Sequence, residues 1–191
     1  MAVYKLTGSS VKNGRTEYSS FLAGNPAVVF TSYESIASNT VGSGGASTIT
    51  FSSIPSTYTH LQIRIATLGS IADDIAMKVN STVGLKTHWL RGNGTTAAGL
   101  VNNPWSTYGL YISENGVSTT NPTPLIIDLL DYTSTNKNKV IKILGGRDDN
   151  GSGRVWLAGG LFDDLTAVSS ITFTSSFAQY TSIALYGIKG A

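Results

Sequence analysis

Thr59–Leu68, THLQIRIATL, sets Leu61, Ile63 and Ile65 in alternation with His60, Gln62 and Arg64. Side chains on an extended backbone point to opposite faces with a period of two, so the segment reads as a strand with one face on a core and one face away from it. The same period recurs further out. Ile49 and Phe51 alternate within 46–54, Ile171 and Phe173 within 169–175, and Ile183 and Leu185 within 180–188. Further strands are predicted over 75–80, 106–113, 123–131, 138–145 and 153–161. The only predicted helical turn is near 161–168, where Asp163 or Asp164 would cap it.

Turn chemistry separates these runs at Gly42-Ser43-Gly44-Gly45, Gly92-Asn93-Gly94, Asn115-Gly116 and Asn150-Gly151-Ser152-Gly153. About eight to ten short strands so spaced predict an all-β antiparallel sandwich or barrel over residues 31–191. No repeat recurs at a fixed period, which argues against propellers and solenoids. A chain of 191 residues accommodates one such domain and an appendage.

The appendage is residues 1–30, where short apolar pairs mix with Gly, Ser, Asn and Pro without a period of 2 or 3.6. It holds Lys5, Lys12 and Arg15 against Glu17 alone, so the whole formal excess of +2 lies there. The remainder carries ten basic and ten acidic residues. Such an arm cannot bury enough of its own surface to offset the ~1–2 kcal/mol per residue lost on ordering the backbone. It is therefore expected to be an attachment device that docks on a partner chain or a neighbouring copy. Val3, Tyr4, Leu6, Tyr18, Phe21, Leu22, Val28, Val29 and Phe30 would be its apolar anchors, and Lys5, Lys12 and Arg15 would favour an acidic partner surface.

Hydrophobic residues make up 41% of the chain and charged residues 13%, the latter about half the share of an average soluble domain. The surface is therefore built mainly of Ser, Thr, Asn and Gly. No basic stripe interleaved with aromatics points to nucleic acid. No stretch approaches the ~18 apolar residues of a membrane span, and the start, MAVYKLTGSS, has no long apolar run of a signal peptide. The absence of cysteine excludes disulfides and thiolate metal sites.

The catalytic inventory is scattered. His60 and His88 stand in no metal-ligand spacing, and no G-x-S-x-G elbow occurs. The carboxylate pairs Asp73-Asp74, Asp148-Asp149 and Asp163-Asp164 are adjacent residues, which point apart and read as turn or cap residues, not as an acid pair across a cleft. Arg147–Gly153 has oxygen donors but lacks the register and the bidentate Glu of a calcium loop, so it reads as a hairpin turn. Asp128 and Asp131, beside the apolar run 125–130, are expected to pair with Arg147 or Arg154. Trp156 reads as a core or inter-subunit residue, whereas Trp89 and Trp105 flank a loop-rich region and are candidates for exposure as stacking platforms. No catalysis, no cofactor and no metal are expected.

Four segments carry a resemblance. Ile49–Arg64, ITFSSIPSTYTHLQIR, resembles a pattern recurrent in virion proteins of tailed phages, including phages of cyanobacteria and other aquatic hosts. Ser182–Lys189, SIALYGIK, and the pair Trp156–Gly160, WLAGG, with Ala167–Phe173, AVSSITF, resemble the same group. Together they span about residues 33–189. The resemblance implies a jelly-roll-like sandwich and a non-enzymatic structural protein of the virion. The first expectation is a capsid cement or decoration protein bound to the major capsid protein, or to another virion protein, on the outer head surface as a homo-oligomer, a trimer by preference. Such a subunit stabilises a shell because it binds only the assembled form. The alternatives are a tail or fibre module that binds a host receptor or glycan, and a polysaccharide-degrading enzyme.

Overall fold

The computed structural model describes residues 32–84, 86–102, 108–113 and 117–190. The arm expected over 1–30, with Val3, Tyr4, Lys5, Leu6, Lys12, Arg15, Tyr18, Phe21, Leu22 and Phe30, lies outside the described residues, as do Trp105 and Asn115-Gly116. The chain divides into two units, Met1–Ser32 and Tyr33–Ala191, and the strands belong to the second.

The described residues contain strands and no helix. In chain order they are β1 (Tyr33–Thr40), β2 (Ala46–Phe51), β3 (His60–Thr67), β4 (Ala76–Val79), β5 (Lys86–Gly92) and β6 (Ala97–Asn102), followed by β7 (Leu110–Tyr111), β8 (Thr123–Leu129), β9 (Lys139–Asp148), β10 (Gly153–Phe162), β11 (Ile171–Phe177) and β12 (Ser182–Ile188). They form one eight-stranded sheet in the order β1-β12-β3-β8-β9-β10-β5-β6 and one four-stranded sheet in the order β2-β11-β4-β7, with antiparallel pairing throughout.

Removing two hairpins from this order shows its logic. Without β5–β6 and β9–β10, eight strands remain as β1-β12-β3-β8 over β2-β11-β4-β7. Numbered afresh these run 1-8-3-6 and 2-7-4-5, the order of a jelly roll. The fold is an antiparallel jelly-roll sandwich, as the sequence predicts, with two inserted hairpins that double the width of one sheet.

The inner faces carry the predicted alternation. Leu185, Ile63, Ile127 and Ile143 stand side by side across four strands of the large sheet. Ile49, Phe173, Met77 and Leu110 do the same across the small one. Leu61, Ile63, Ile65, Ile171, Phe173, Ile183 and Leu185 are all buried. At ~1.5–3 kcal/mol for each large apolar side chain removed from water, these rows supply the main driving force of folding.

Three strands escape the sequence reading. β1 has no clean alternation, β6 is rich in Ala and Gly, and in β5 only Thr87 and Trp89 face inward and are buried, beside outward Leu90. Of the predicted 106–113 strand, the described residues 108–113 contain the two residues of β7. The helical turn predicted at 161–168 does not form. Leu161 and Phe162 end β10, and Asp164 instead closes a local turn by accepting hydrogen bonds from the backbone N–H and hydroxyl of Thr166. The β9–β10 hairpin turns on Asn150 and Gly151, both at positive φ (56° and 108°), the conformation that Asn-Gly supplies in a type I′ turn.

Asn80, at the end of β4, also has positive φ (51°). Its amide donates to Asp164, Thr166 and the Ala167 carbonyl, and its Oδ1 accepts from the backbone N–H groups of Ser169 and Ser170. One side chain thus ties the approach to β11 onto the small sheet. Asn80→Ala is expected to cost about 2–4 kcal/mol, the sum of left-handed strain and several lost hydrogen bonds. Asn80→Gly should cost less, because glycine carries no such strain. Urea unfolding of both variants checks this, and equal losses would show that hydrogen bonding alone is involved.

Candidate functional site: the outer face of the large sheet

Alternation that buries one side of a strand exposes the other, and the exposed side of the large sheet divides into two halves. Over β1, β12, β3 and β8 it is polar and aromatic. The rings of Tyr33 and Tyr186 stack at 4.8 Å, with the Arg64 guanidinium 5.5 Å from each centroid. Tyr33 donates to Gln62 Oε1, and Gln62 donates to Asp128.

Over β8, β9, β10 and β5 the face is aliphatic. Ile126 lies opposite Leu144, Leu144 opposite Leu157, and Leu157 opposite Leu90, a ridge that runs straight across four strands. These four side chains are 39%, 53%, 42% and 59% exposed. Val155 and Val101 extend the apolar surface.

Two residues along each strand the same face falls into a groove. It is lined by Gly146, Gly92, Pro122 and Pro124 and flanked by the exposed Val155, and its volume is about 860 Å³. Beyond the groove on β9 stands Asp148, and on the far side of the ridge on the same strand stands Lys142, both exposed. Neither side chain forms an ion pair among the described residues.

The other candidates from the sequence are drawn into the fold's own bonding. Asp128 and Asp131 pair with neither Arg147 nor Arg154. Asp128 stands on the outer face, while Arg147 and Arg154, two residues from the inward pair Gly145 and Trp156, have the opposite parity. Asp128 accepts from Gln62, Asp131 from Lys137 and from no arginine, and Arg147 lies beside Asp149. His60 Nδ1 accepts the backbone N–H of Asp131, so the imidazole proton sits on Nε2. His88 is exposed on β5. Asp73 accepts from Ser176 and from the backbone N–H of Asp74.

Trp156 is 2% exposed, in accord with its reading as a core residue. Trp89 is no platform: it is 4% exposed and tilts against Trp156 with ring centroids 6.3 Å apart. The inward parity of β5 decides this. Among the described residues no group of three or more His, Asp or Glu is placed to hold a metal ion, and no helix is long and apolar enough to cross a membrane.

The ridge escapes a reading of the sequence that assigns every apolar residue to the core. Its signal is nevertheless there: PLIIDLL, KVIKILGG and RVWLAGG are apolar at both parities, the mark of a strand with both faces covered. The chain matches no protein-family model, no curated protein and no solved structure.

Three carboxyls set the acid response. Hydrogen bonds from Ser118 and Asn121, with Arg147 nearby, hold Asp149 below its ordinary value near 3.8. The Lys137 ammonium does the same for Asp131. Burial tends to raise Asp164, and the hydrogen bonds from Thr166, Asn80 and Thr82 outweigh it. A carboxyl whose folded pKa lies below its unfolded value contributes stability above the unfolded pKa and loses it as pH falls through the folded one. The urea midpoint is therefore expected to be flat from about pH 7 to 5 and to fall below about pH 4. Asp149→Asn should make that acid limb shallower, which denaturation at stepped pH would reveal.

Proposed function

We propose that this chain is a non-enzymatic structural protein of a tailed-phage particle, a cement protein that adds to the outer capsid surface as a homo-oligomer and holds the shell together by contact area. The observation that carries the reading is the exposed aliphatic ridge of Ile126, Leu144, Leu157 and Leu90 on a broad sheet face. A contiguous apolar strip of this kind is the signature of a protein contact. The resemblance to virion proteins supports the same assignment. Its segments Ile49–Arg64 and Ser182–Lys189 cover β2–β3 and β12, the scaffold strands of the jelly roll, so it speaks for the scaffold and leaves the partner to the exposed surfaces.

In this reading residues 1–30 are the contact to the major capsid protein. The folded unit supplies the bulk that neighbouring capsomers share. Binding only to the assembled lattice shifts assembly toward completion. The glycan-binding alternative loses one of its two candidate platforms with the burial of Trp89, and the rings of Tyr33 and Tyr186 are stacked on one another.

Two experiments test the proposal. Immunogold labelling of intact particles with antibody against the folded unit is expected to mark the head, and label confined to the tail would refute the capsid location. A chain lacking residues 1–30 is expected to retain its unfolding transition and to lose binding to heads stripped of the protein. Undiminished binding would remove the arm from the mechanism.

A further inference from the structure

On the proposed reading of the outer face as an assembly surface, we infer that the ridge and groove form a two-fold interface between two copies of this chain, each copy's ridge seated in the other's groove.

The face is complementary to itself. Ridge and groove are adjacent parallel rows on the same four strands. One row is Ile126, Leu144, Leu157 and Leu90, and the other is Pro124, Gly146, Val155 and Gly92, displaced by two residues along every strand. Two residues of strand are about 6.7 Å. Consider a two-fold axis in the plane of the contact that runs between the rows, across the strands. It reverses strand direction and exchanges the rows without changing strands. Ile126 then faces Pro124, Leu144 faces Gly146, Leu157 faces Val155, and Leu90 faces Gly92. Leu144 and Leu90 of the ridge thus meet glycines, Ile126 meets a proline and Leu157 packs on the exposed Val155, and all four strands cross the axis.

Charge gives a second, independent match. The same axis passes midway between positions 142 and 148 on β9, and so brings Lys142 of each copy to Asp148 of the other. In the isolated chain Lys142 stands across from Asp128 on β8 and Asp148 accepts the backbone N–H of Asn150, but neither forms an ion pair among the described residues. Nothing in the ridge–groove match requires opposite charges at these two places. Their presence turns an apolar contact into one with a defined register.

Size is consistent with a stable contact. Five strands, β8, β9, β10, β5 and β6, at ~4.8 Å spacing and up to ten residues long, present a face on the order of 700 Å². That is close to the ~800 Å² per partner of a standard interface. Aligned sheets pack about 10 Å apart at roughly −30°, which keeps the central pairs in register and relaxes the outer ones. Isologous contacts also close on themselves, so the assembly stops at two copies. This replaces the three-fold arrangement expected from the sequence, because the rows match only when strand direction is reversed.

Sedimentation equilibrium of the full chain tests the inference, with the wild type expected as a concentration-dependent dimer. Gly92→Leu fills the groove, and the added Cβ meets only the Thr96 carbonyl at 3.9 Å within its own chain. It is expected to raise the dissociation constant at least tenfold. Lys142→Glu and Asp148→Lys are each expected to weaken the dimer severalfold, and the double variant to restore it, a recovery that a folding defect cannot mimic. A chain that stays monomeric at high concentration, a trimer, or a dimer indifferent to all three variants would overturn the inference. Head binding is measured separately: a dimer that obeys these variants and binds no heads refutes the cement proposal and leaves the interface standing.

Discussion

The register of β3 between β12 and β8 is the constraint on which the molecule depends. Ile63 lies opposite Leu185 on one side and Ile127 on the other, and Ile65 lies opposite Ile183 and Leu125. A slip of one residue would turn Leu61, Ile63 and Ile65 into solvent and bring Gln62 and Arg64 into the core without partners, a loss of several kcal/mol per side chain. The inner rows of both sheets follow from this one alignment. So does the composition of the outer face, since each residue forced inward fixes which neighbours remain outside.

The two inserted hairpins act through the same rule. β9–β10 and β5–β6 continue the large sheet beyond the eight strands of the jelly roll, and their inward residues Trp156, Trp89 and Phe162 join the common core. Their outward residues are aliphatic where solvent alone would favour polar ones. Glycine recurs here for a packing reason. A Cβ at Gly145 would strike the Trp156 ring at 2.7 Å, and one at Gly146 would approach the Arg154 carbonyl at 2.9 Å. The glycine that lets tryptophan pack inside, Gly145, thus adjoins Gly146 at the groove outside.

With so few charges, single charged groups hold the loops by gathering neutral donors and acceptors around them. Lys139 is fully buried, and its ammonium donates to the backbone carbonyls of Ser134, Lys137 and Asp164, so that one cation closes two loops. Asp149, Asp164 and Asn80 gather hydroxyl and amide groups in the same way. Serine, threonine and asparagine serve here as loop fasteners.

The sequence by itself determined the strand periods, the inward set of β3, β11 and β12, the Asn150-Gly151 turn and the sandwich class, because each depends on side-chain alternation or on backbone conformation a few residues long. It did not determine β1, β5 and β6, whose weak alternation becomes a strand only when a neighbour's edge offers hydrogen bonds. Nor did it determine the partners of Asp128 and Asp131, which follow from parity across strands far apart in the chain. The apolar character of the outer face was legible in KVIKILGG and RVWLAGG. Only the tertiary structure decided that Ile126, Leu144, Leu157 and Leu90 meet as one ridge beside one groove, because cross-strand register is set by long-range pairing that no local stretch of sequence encodes.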